Sequence, residues 1–413
     1  PASLGTLPGA WAGSITWGDY DGDGDPDLLL TGLTGPDDGC SPVSRVYRND
    51  GGTLTEINSG LTGVYLGAAA WGDYDADGDL DIALSGLTAQ GKGTLEIYEN
   101  SGGVFLEDTA QSGLIIVRYS DLAWGDYDGD GDLDLAVTGM TAAGHPSTVL
   151  YRNARIDSER TGSPLGGRPT LKVDAPNTER LINLSQGALA WGDVDGDGDL
   201  DLALSGFGTS GSRQSAVYLN QFGGSLIYDD RNTDLSPVSG GDLAWGDVDG
   251  DGDLDLALSG WNNEWEAAFR IYINAAGILR EDLTFSSTRI IGRLAWGDYD
   301  NDGDLDLAAS GQSSTSQRHA FVLRNGSGGS LSEDLTQSLP GLRGGGLTWA
   351  DVDGDGDLDL AVSGEDESGV RRCLIYDSAG VAANARPSPP TRLGSPTVSG
   401  GGLTLNWNDG SDT

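Results

Sequence analysis

Short apolar runs and acidic stretches alternate along the whole chain. In 202–204 the residues Leu-Ala-Leu follow one another without a polar interruption, and runs of the same kind stand at 28–30, 82–84, 256–258 and 360–362. Apolar residues at consecutive positions predict a strand covered on both faces. Each run ends in Ser/Thr-Gly, from Thr31-Gly32 to Ser363-Gly364, which marks a turn. Upstream of each run a shorter strand ends at a Trp (Trp17, Trp71, Trp124, Trp191, Trp245, Trp296, Trp349). Downstream a third strand carries patterns such as Val46-Tyr-Arg-Asn49, Ile97-Tyr-Glu-Asn100 and Val149-Leu-Tyr-Arg-Asn153. After a Gly-rich turn a weaker fourth strand follows, as at 105–108 and 226–228. The predicted fold class is all-β, with four strands to a unit.

The unit recurs. The phrase W-G-D-[YV]-D-x-D-G-D-x-D appears seven times, its first Asp at 19, 73, 126, 193, 247, 298 and 351, in steps of 54, 53, 67, 54, 51 and 53 residues. An insertion at 154–170, expected to be a surface loop, accounts for the long step. Seven units of four antiparallel strands predict a seven-bladed β-propeller, in which neighbouring blades cover both faces of each sheet. The alternative, a linear solenoid, would need atypical capping repeats. Here the first and seventh copies are as regular as the middle ones.

The acidic phrase occupies the turn between the first and second strands. Carboxylates at alternate positions of a tight turn repel one another unless they converge on a hard cation. The candidate ligands are Asp19, Asp21, Asp23, Asp25 and Asp27 in loop 19–27; Asp73, Asp75, Asp77, Asp79 and Asp81 in 73–81; and Asp126, Asp128, Asp130, Asp132 and Asp134 in 126–134. They continue as Asp193, Asp195, Asp197, Asp199 and Asp201 in 193–201, and as Asp247, Asp249, Asp251, Asp253 and Asp255 in 247–255. The last two sets are Asp298, Asp300, Asp302, Asp304 and Asp306 in 298–306, and Asp351, Asp353, Asp355, Asp357 and Asp359 in 351–359. Positions 1, 3, 5 and 9 would offer carboxylates and position 7 its backbone carbonyl, while Gly at position 6 permits the sharp turn. An all-oxygen, flexible set favours Ca²⁺ over Mg²⁺. An EF-hand does not fit, because position 12 is apolar (Leu30, Leu204, Leu258) and a strand follows. Seven sites are expected, and seven Ca²⁺ would move the formal charge from -41 to -27.

The loop D-x-D-x-D-G-x-x-D between two strands, the repeat length and the count resemble the FG-GAP (VCBS-type) repeats, which include the integrin α-subunit propeller. The resemblance implies a seven-bladed propeller with Ca²⁺ between strands 1 and 2 of each blade, and partner binding on the opposite face. Departures spare the ligands: Pro26 replaces Leu, Ala76 and Asn301 replace Gly at position 4, and Ala350 breaks one W-G-D. The propeller is expected to span 1–384, with 385–413 a Pro-rich linker and a segment resembling the first two strands of a fibronectin type III domain, including Trp407. The seventh repeat lacks a fourth strand. Either residues 1–7 close the ring imperfectly or a sheet edge is left open as a template for another strand.

Charge narrows the partners. With 64 acidic against 23 basic residues, and only Lys92 and Lys172 among the lysines, no patch suits nucleic acid. No apolar run approaches the roughly 18 residues of a membrane-spanning helix, so the chain is expected to be soluble. Starting at Pro1 without a signal-like segment, it reads as a mature or trimmed product. Cys40 and Cys373 fall in the first and last repeats, which a ring would make neighbours, but equivalent outer positions are too far apart and two free thiols are expected. Asn183 and Asn325 stand in glycosylation sequons. His145 and His319 have no nucleophile motif around them, so no catalytic residue is assigned and the protein is expected not to be an enzyme. The expected function is an extracellular calcium-binding adhesion module for a protein or glycan, with Trp261 and Trp265 as candidate ligand contacts beside Asn262-Asn-Glu264. The alternative is a scaffold or filament subunit, a homo-oligomer or polymer assembled by strand exchange through the last blade or the C-terminal tail.

Overall fold

The computed structural model describes residues 2–35, 40–111, 113–154, 169–221, 223–283, 285, 290–326 and 328–378, with short strand pairs at 398–399 and 402–403. The chain is a β-propeller of four-stranded antiparallel blades. In the fourth repeat Leu184–Gly192, Asp201–Gly208, Arg213–Gln221 and Ser225–Tyr228 pair in that order as a simple meander. The second strand is buried along nearly its whole length, as its unbroken apolar run requires, whereas the fourth buries only Leu226 and exposes Ile227 and Tyr228.

Five sheets have this four-stranded form, not the seven separate ones expected. The first two repeats instead share one nine-stranded sheet. The join is the two-residue strand Val64–Tyr65, where Val64 pairs with Val43 of the first repeat and with Thr88 of its own. Sequence pattern could not show it, because a single valine bridging two edges carries no periodicity.

The last sheet is completed from the other end of the chain. Ala2–Leu7 lies antiparallel to Arg371–Asp377, from Ala2 opposite Asp377 to Leu7 opposite Cys373, with one irregularity between Ser3 and Gly5. Of the two alternatives, closure by residues 1–7 is the one the structure has, so this edge of the last sheet offers no vacancy for strand exchange. Residues 404–413, with Trp407, and most of the 154–170 insertion lie outside the described residues. No disulfide joins Cys40 and Cys373: Cys40 accepts from the Arg371 guanidinium at 3.0 Å and Cys373 is buried.

Neighbouring repeats are locked by two recurring devices. From Trp71 to Trp349 the Trp ending each first strand lies on the Gly of the preceding repeat, with Ala350 in that place before Trp17: a Cβ on Gly72 would come within 2.6 Å of Trp124, and one on Gly246 within 2.8 Å of Trp296. Only Gly leaves room for the ring, which explains the W-G pair. Where the second loop residue is Tyr its ring stacks on the same Trp, as Tyr20 on Trp71 at 6.1 Å and Tyr127 on Trp191 at 5.8 Å.

The second device is the Asn closing each third strand. The buried Asn274 donates from its side chain to the Val194 carbonyl of the preceding repeat at 2.8 Å, and Asn100 donates likewise to Tyr20. Asn49 reaches the Val352 carbonyl of the seventh repeat at 2.8 Å, which closes the ring. In the seventh repeat Ser378 takes this place, and the junction with the sixth is bridged by Asn301 donating to Asp357 at 2.7 Å. Asn325 is one of these links and 1 % exposed, so its sequon is inaccessible to glycosylation.

Candidate functional site

Each acidic loop is wound around its own carboxylates. In loop 193–201, Asp193 accepts backbone N–H bonds from Gly196 (2.8 Å), Asp197 (3.1 Å) and Gly198 (3.0 Å), and Asp197 accepts one from Asp199 (3.0 Å). The turn needs left-handed backbone at positions 4 and 6, supplied by Gly196 at φ 73° and Gly198 at φ 93°. Ala76 takes the same conformation at φ 54°, a strain of roughly 1 kcal/mol for a residue with a Cβ. The ninth position anchors the loop to the sheet. Asp201 is buried and accepts from the amides of Val194 (2.8 Å) and Asn220 (2.6 Å).

The candidate ligands converge as three-carboxylate groups. One oxygen each of Asp19, Asp21 and Asp27 lies within 4.8 Å of the others, as do those of Asp73, Asp75 and Asp81, and of Asp126, Asp128 and Asp134. In the fourth and fifth repeats the trios are Asp193, Asp195 and Asp197, and Asp247, Asp249 and Asp251. Position 7 stands apart from these trios: the carboxylates of Asp25, Asp79, Asp199 and Asp253 accept backbone N–H bonds from Gly51, Gly102, Gly223 and Ala276 in the hairpin between strands 3 and 4. That tie was not legible in the motif.

The donor set fits a hard cation. All the converging atoms are carboxylate oxygens, and Asp134 Oδ2, Asp195 Oδ1 and Asp351 Oδ1 are buried without a hydrogen-bond partner. Burial, opposed by amide hydrogen bonds and reinforced by neighbouring aspartates, pushes the carboxyls of Asp81 and Asp134 up to about 8 and those of Asp201 and Asp306 to about 7. Without a counter-charge these four carboxyls keep much of their proton near neutral pH.

The opposite end of the propeller axis is built differently. There a cavity of about 360 Å³ is lined by residues from all seven sequence repeats, among them Trp11, Leu66, Tyr119, Gln186, Trp261 and Arg343. Around it the residue five before each blade Trp takes left-handed backbone in several repeats: Ala12, Leu66, Tyr119 and Gln186 have φ between 49° and 57°. Their backbones are bonded repeat to repeat, Leu66 donating to the Ala12 carbonyl and Gly240 to that of Gln186, both at 2.5 Å. Deeper on the axis Asp121 and Asp242 accept the amides of Leu189 and Leu294 (3.0 Å each), and Arg293 lies 3.5 Å from Asp242. Burial pushes the Asp121 carboxyl up to about 6, against the pull of Arg293.

One of the two candidate tryptophans belongs to this cavity and the other stands beside it. Trp261 lines the cavity, and Trp265 is 68 % exposed, its ring 6.3 Å from that of Trp261 and tilted by 58°. The Arg213 guanidinium of the neighbouring repeat lies 4.0 Å over the Trp265 ring and donates to Ser239. His145 is exposed and His319 half-buried. The axial cavity itself was not foreseen, since it arises only when the seven repeats meet.

Comparisons with known proteins agree with this architecture. The profile of the FG-GAP-like repeat family matches residues 247–309 and 298–362. Mouse cartilage acidic protein 1 is 25 % identical over 451 aligned positions, covering 89 % of this chain and 68 % of that protein. Its human counterpart is 26 % identical over 239 positions, 51 % of this chain and 36 % of that protein. The lectin BP39L from Burkholderia pseudomallei has a similar fold, with a TM-score of 0.58 at 13 % identity over 91 % of this chain and 98 % of its own. The chain is thus a β-propeller that carries FG-GAP-like repeats.

Proposed function

We propose that the chain is an extracellular, non-catalytic binding module: a seven-bladed propeller stiffened by calcium on one face, with a ligand site for a carbohydrate or protein at the axial mouth of the other. The count of seven treats the nine-stranded sheet as two blades joined by Val64. One observation carries the ligand site: an aromatic wall residue, Trp261, next to an exposed aromatic, Trp265, at the mouth of a cavity large enough for a sugar ring. An indole face buries the apolar side of a pyranose, while Gln186, Gln312 and Arg343 offer hydrogen bonds to its hydroxyls. The lectin of similar fold and the cartilage protein named among the relatives are in keeping with that class of partner and with a place outside the cell.

On the acidic face Asp201 and its equivalents hold the loop to the sheet, and the carboxylates at positions 1, 3 and 5 or 9 would hold the ion. Calcium would supply the positive charge that lets them converge without protonation. The test is a glycan-array and calorimetric comparison of the wild type with Trp265→Ala and Trp261→Ala. Lost binding with an unchanged melting curve supports the site. Unchanged binding by both variants removes it.

A further inference from the structure

The seven acidic loops share a motif but not an electrostatic setting. The difference lies in one position, the residue before the Asn or Ser that ends the third strand. It is Arg48, Glu99, Arg152, Leu219, Ile273, Arg324 and Asp377 in repeats one to seven. From this place the side chain meets the loop of its own repeat. Arg152 lies 2.8 Å from Asp128 Oδ2, and Arg324 pairs with Asp300 and stands 3.6 Å from Asp302. Asp128 and Asp300 are third-position aspartates whose side chains are 3 % and 6 % exposed, while the arginines facing them are about half exposed, so water screens these pairs in part. Glu99 adds a negative charge instead: it accepts at 3.1 Å from the hydroxyl of Tyr74, the second residue of its own loop. Asp377 puts a carboxylate at the same place in repeat seven, next to Ser378, whose amide donates to the ninth-position Asp359. Arg48 is drawn off by Asp50 at 2.7 Å, and Arg231, beside the fourth loop, by Asp229 at 2.9 Å.

We propose that this single position grades the calcium affinity of the seven loops: tightest in repeats two and seven, weakest in repeats three and six, intermediate in one, four and five. The inference rests on the calcium reading of the loops given above. In oxygen-ligand loops the count of ligand charges sets affinity. A resident guanidinium cancels one carboxylate and repels the incoming ion. An added carboxylate does the reverse. Coulomb's law for a unit charge some 5–6 Å from a divalent ion in a wet loop gives about a ten-fold change in affinity per substitution. The propeller then fills in stages as free calcium rises, with the loops of repeats three and six last.

Native mass spectrometry of the full chain at stepped free calcium reads the stages directly. The expected profile has two ions entering first and the last two only at calcium concentrations at least about ten-fold above those of the middle class. In Arg152→Leu with Arg324→Ile, which install the residues of repeats four and five, the last step merges with the middle class. Arg152→Lys with Arg324→Lys, which keep both charges, retain the late step. Arg152 and Arg324 are 43 % and 52 % exposed, so the variants keep the fold. Seven ions entering as one class, unaltered by the Leu/Ile variant, would overturn the ranking and leave the calcium reading intact. No bound ion at any concentration would instead remove the calcium reading itself.

Discussion

The two ends of the propeller axis solve opposite problems with the same strands. At the acidic end the repeats do nearly the same thing: a carboxylate-wound turn, a buried ninth-position aspartate, a Trp on the previous Gly except at Ala350, and an Asn on the previous carbonyl except at Ser378. At the axial mouth each repeat does something different, placing Ala12, Leu66, Tyr119, Gln186, Gly240, Ile291 or Gly344 around one cavity. Uniformity is what a ring needs to close, because any mismatch between neighbours accumulates around it. Variety is what a binding site needs, because one asymmetric ligand must be read by seven unlike edges. The comparison teaches that sequence invariance among repeats marks the load shared by the ring, and its absence marks the surface free to specialise.

That division can be broken experimentally. If the acidic face carries the stability, stripping calcium should have the largest effect of all. Saturation at a hundred times the dissociation constant is worth about 2.7 kcal/mol per site, so several sites together exceed the whole stability of an ordinary domain. Melting curves in calcium and in chelator should differ by tens of degrees, and superimposable curves would refute the assignment of stability to this face. Next in size is a clash at a blade junction. Gly246→Leu must push Trp296 aside and should cost about 3 kcal/mol in denaturant unfolding, whereas Ala350→Gly, where a methyl is already tolerated, should be close to neutral.

Asn274→Leu removes side-chain donors to the Val194 and Leu254 carbonyls and the acceptor for the Gly277 amide. A loss of about 2–3 kcal/mol is expected, and a loss under about 0.5 kcal/mol would show that the junctions do not depend on it. The smallest effect belongs to the axial end. The Asp121 carboxyl is raised by burial to about 6 in the fold, above its ordinary value near 4. A raised carboxyl favours the folded state while protonated, so this contribution is complete below about pH 4 and fades as pH rises through about 6. Asp121→Asn, which keeps an acceptor for the Leu189 amide, should flatten the decline in melting temperature between pH 5 and 7. An equally steep decline in the variant would assign the effect elsewhere.

The fold was largely legible because each of its determinants is local. The unbroken apolar run at 202–204 speaks for a doubly covered strand, and the Asp ladder speaks for a wound turn. What escaped was whatever one repeat does to another. Asn274 and its counterparts recur visibly at the ends of the third strands, but nothing in a linear pattern says that the side chain reaches a carbonyl eighty residues earlier. The role of Gly246 is hidden in the same way, since its reason is a Trp in the following repeat. The nine-stranded sheet and the axial cavity are likewise products of assembly. Trp265 was picked out by its unusual neighbours, and its ring lies 6.3 Å from that of Trp261, which lines the cavity.

The strand that closes the ring also sets how the molecule bears tension. Ala2 lies opposite Asp377, so the chain enters and leaves the propeller at one corner of one sheet. A pull applied through both flanking segments meets the pairs in sequence, Ala2 first and Leu7 last, and opens them like a zip instead of shearing them together. The next resistance is the pairing of Arg371–Asp377 with Asp359–Glu365 in the same sheet. Under load the ring is therefore weakest where it was last joined. A propeller tethered at both ends would yield there at low force, with the remaining blades still stacked.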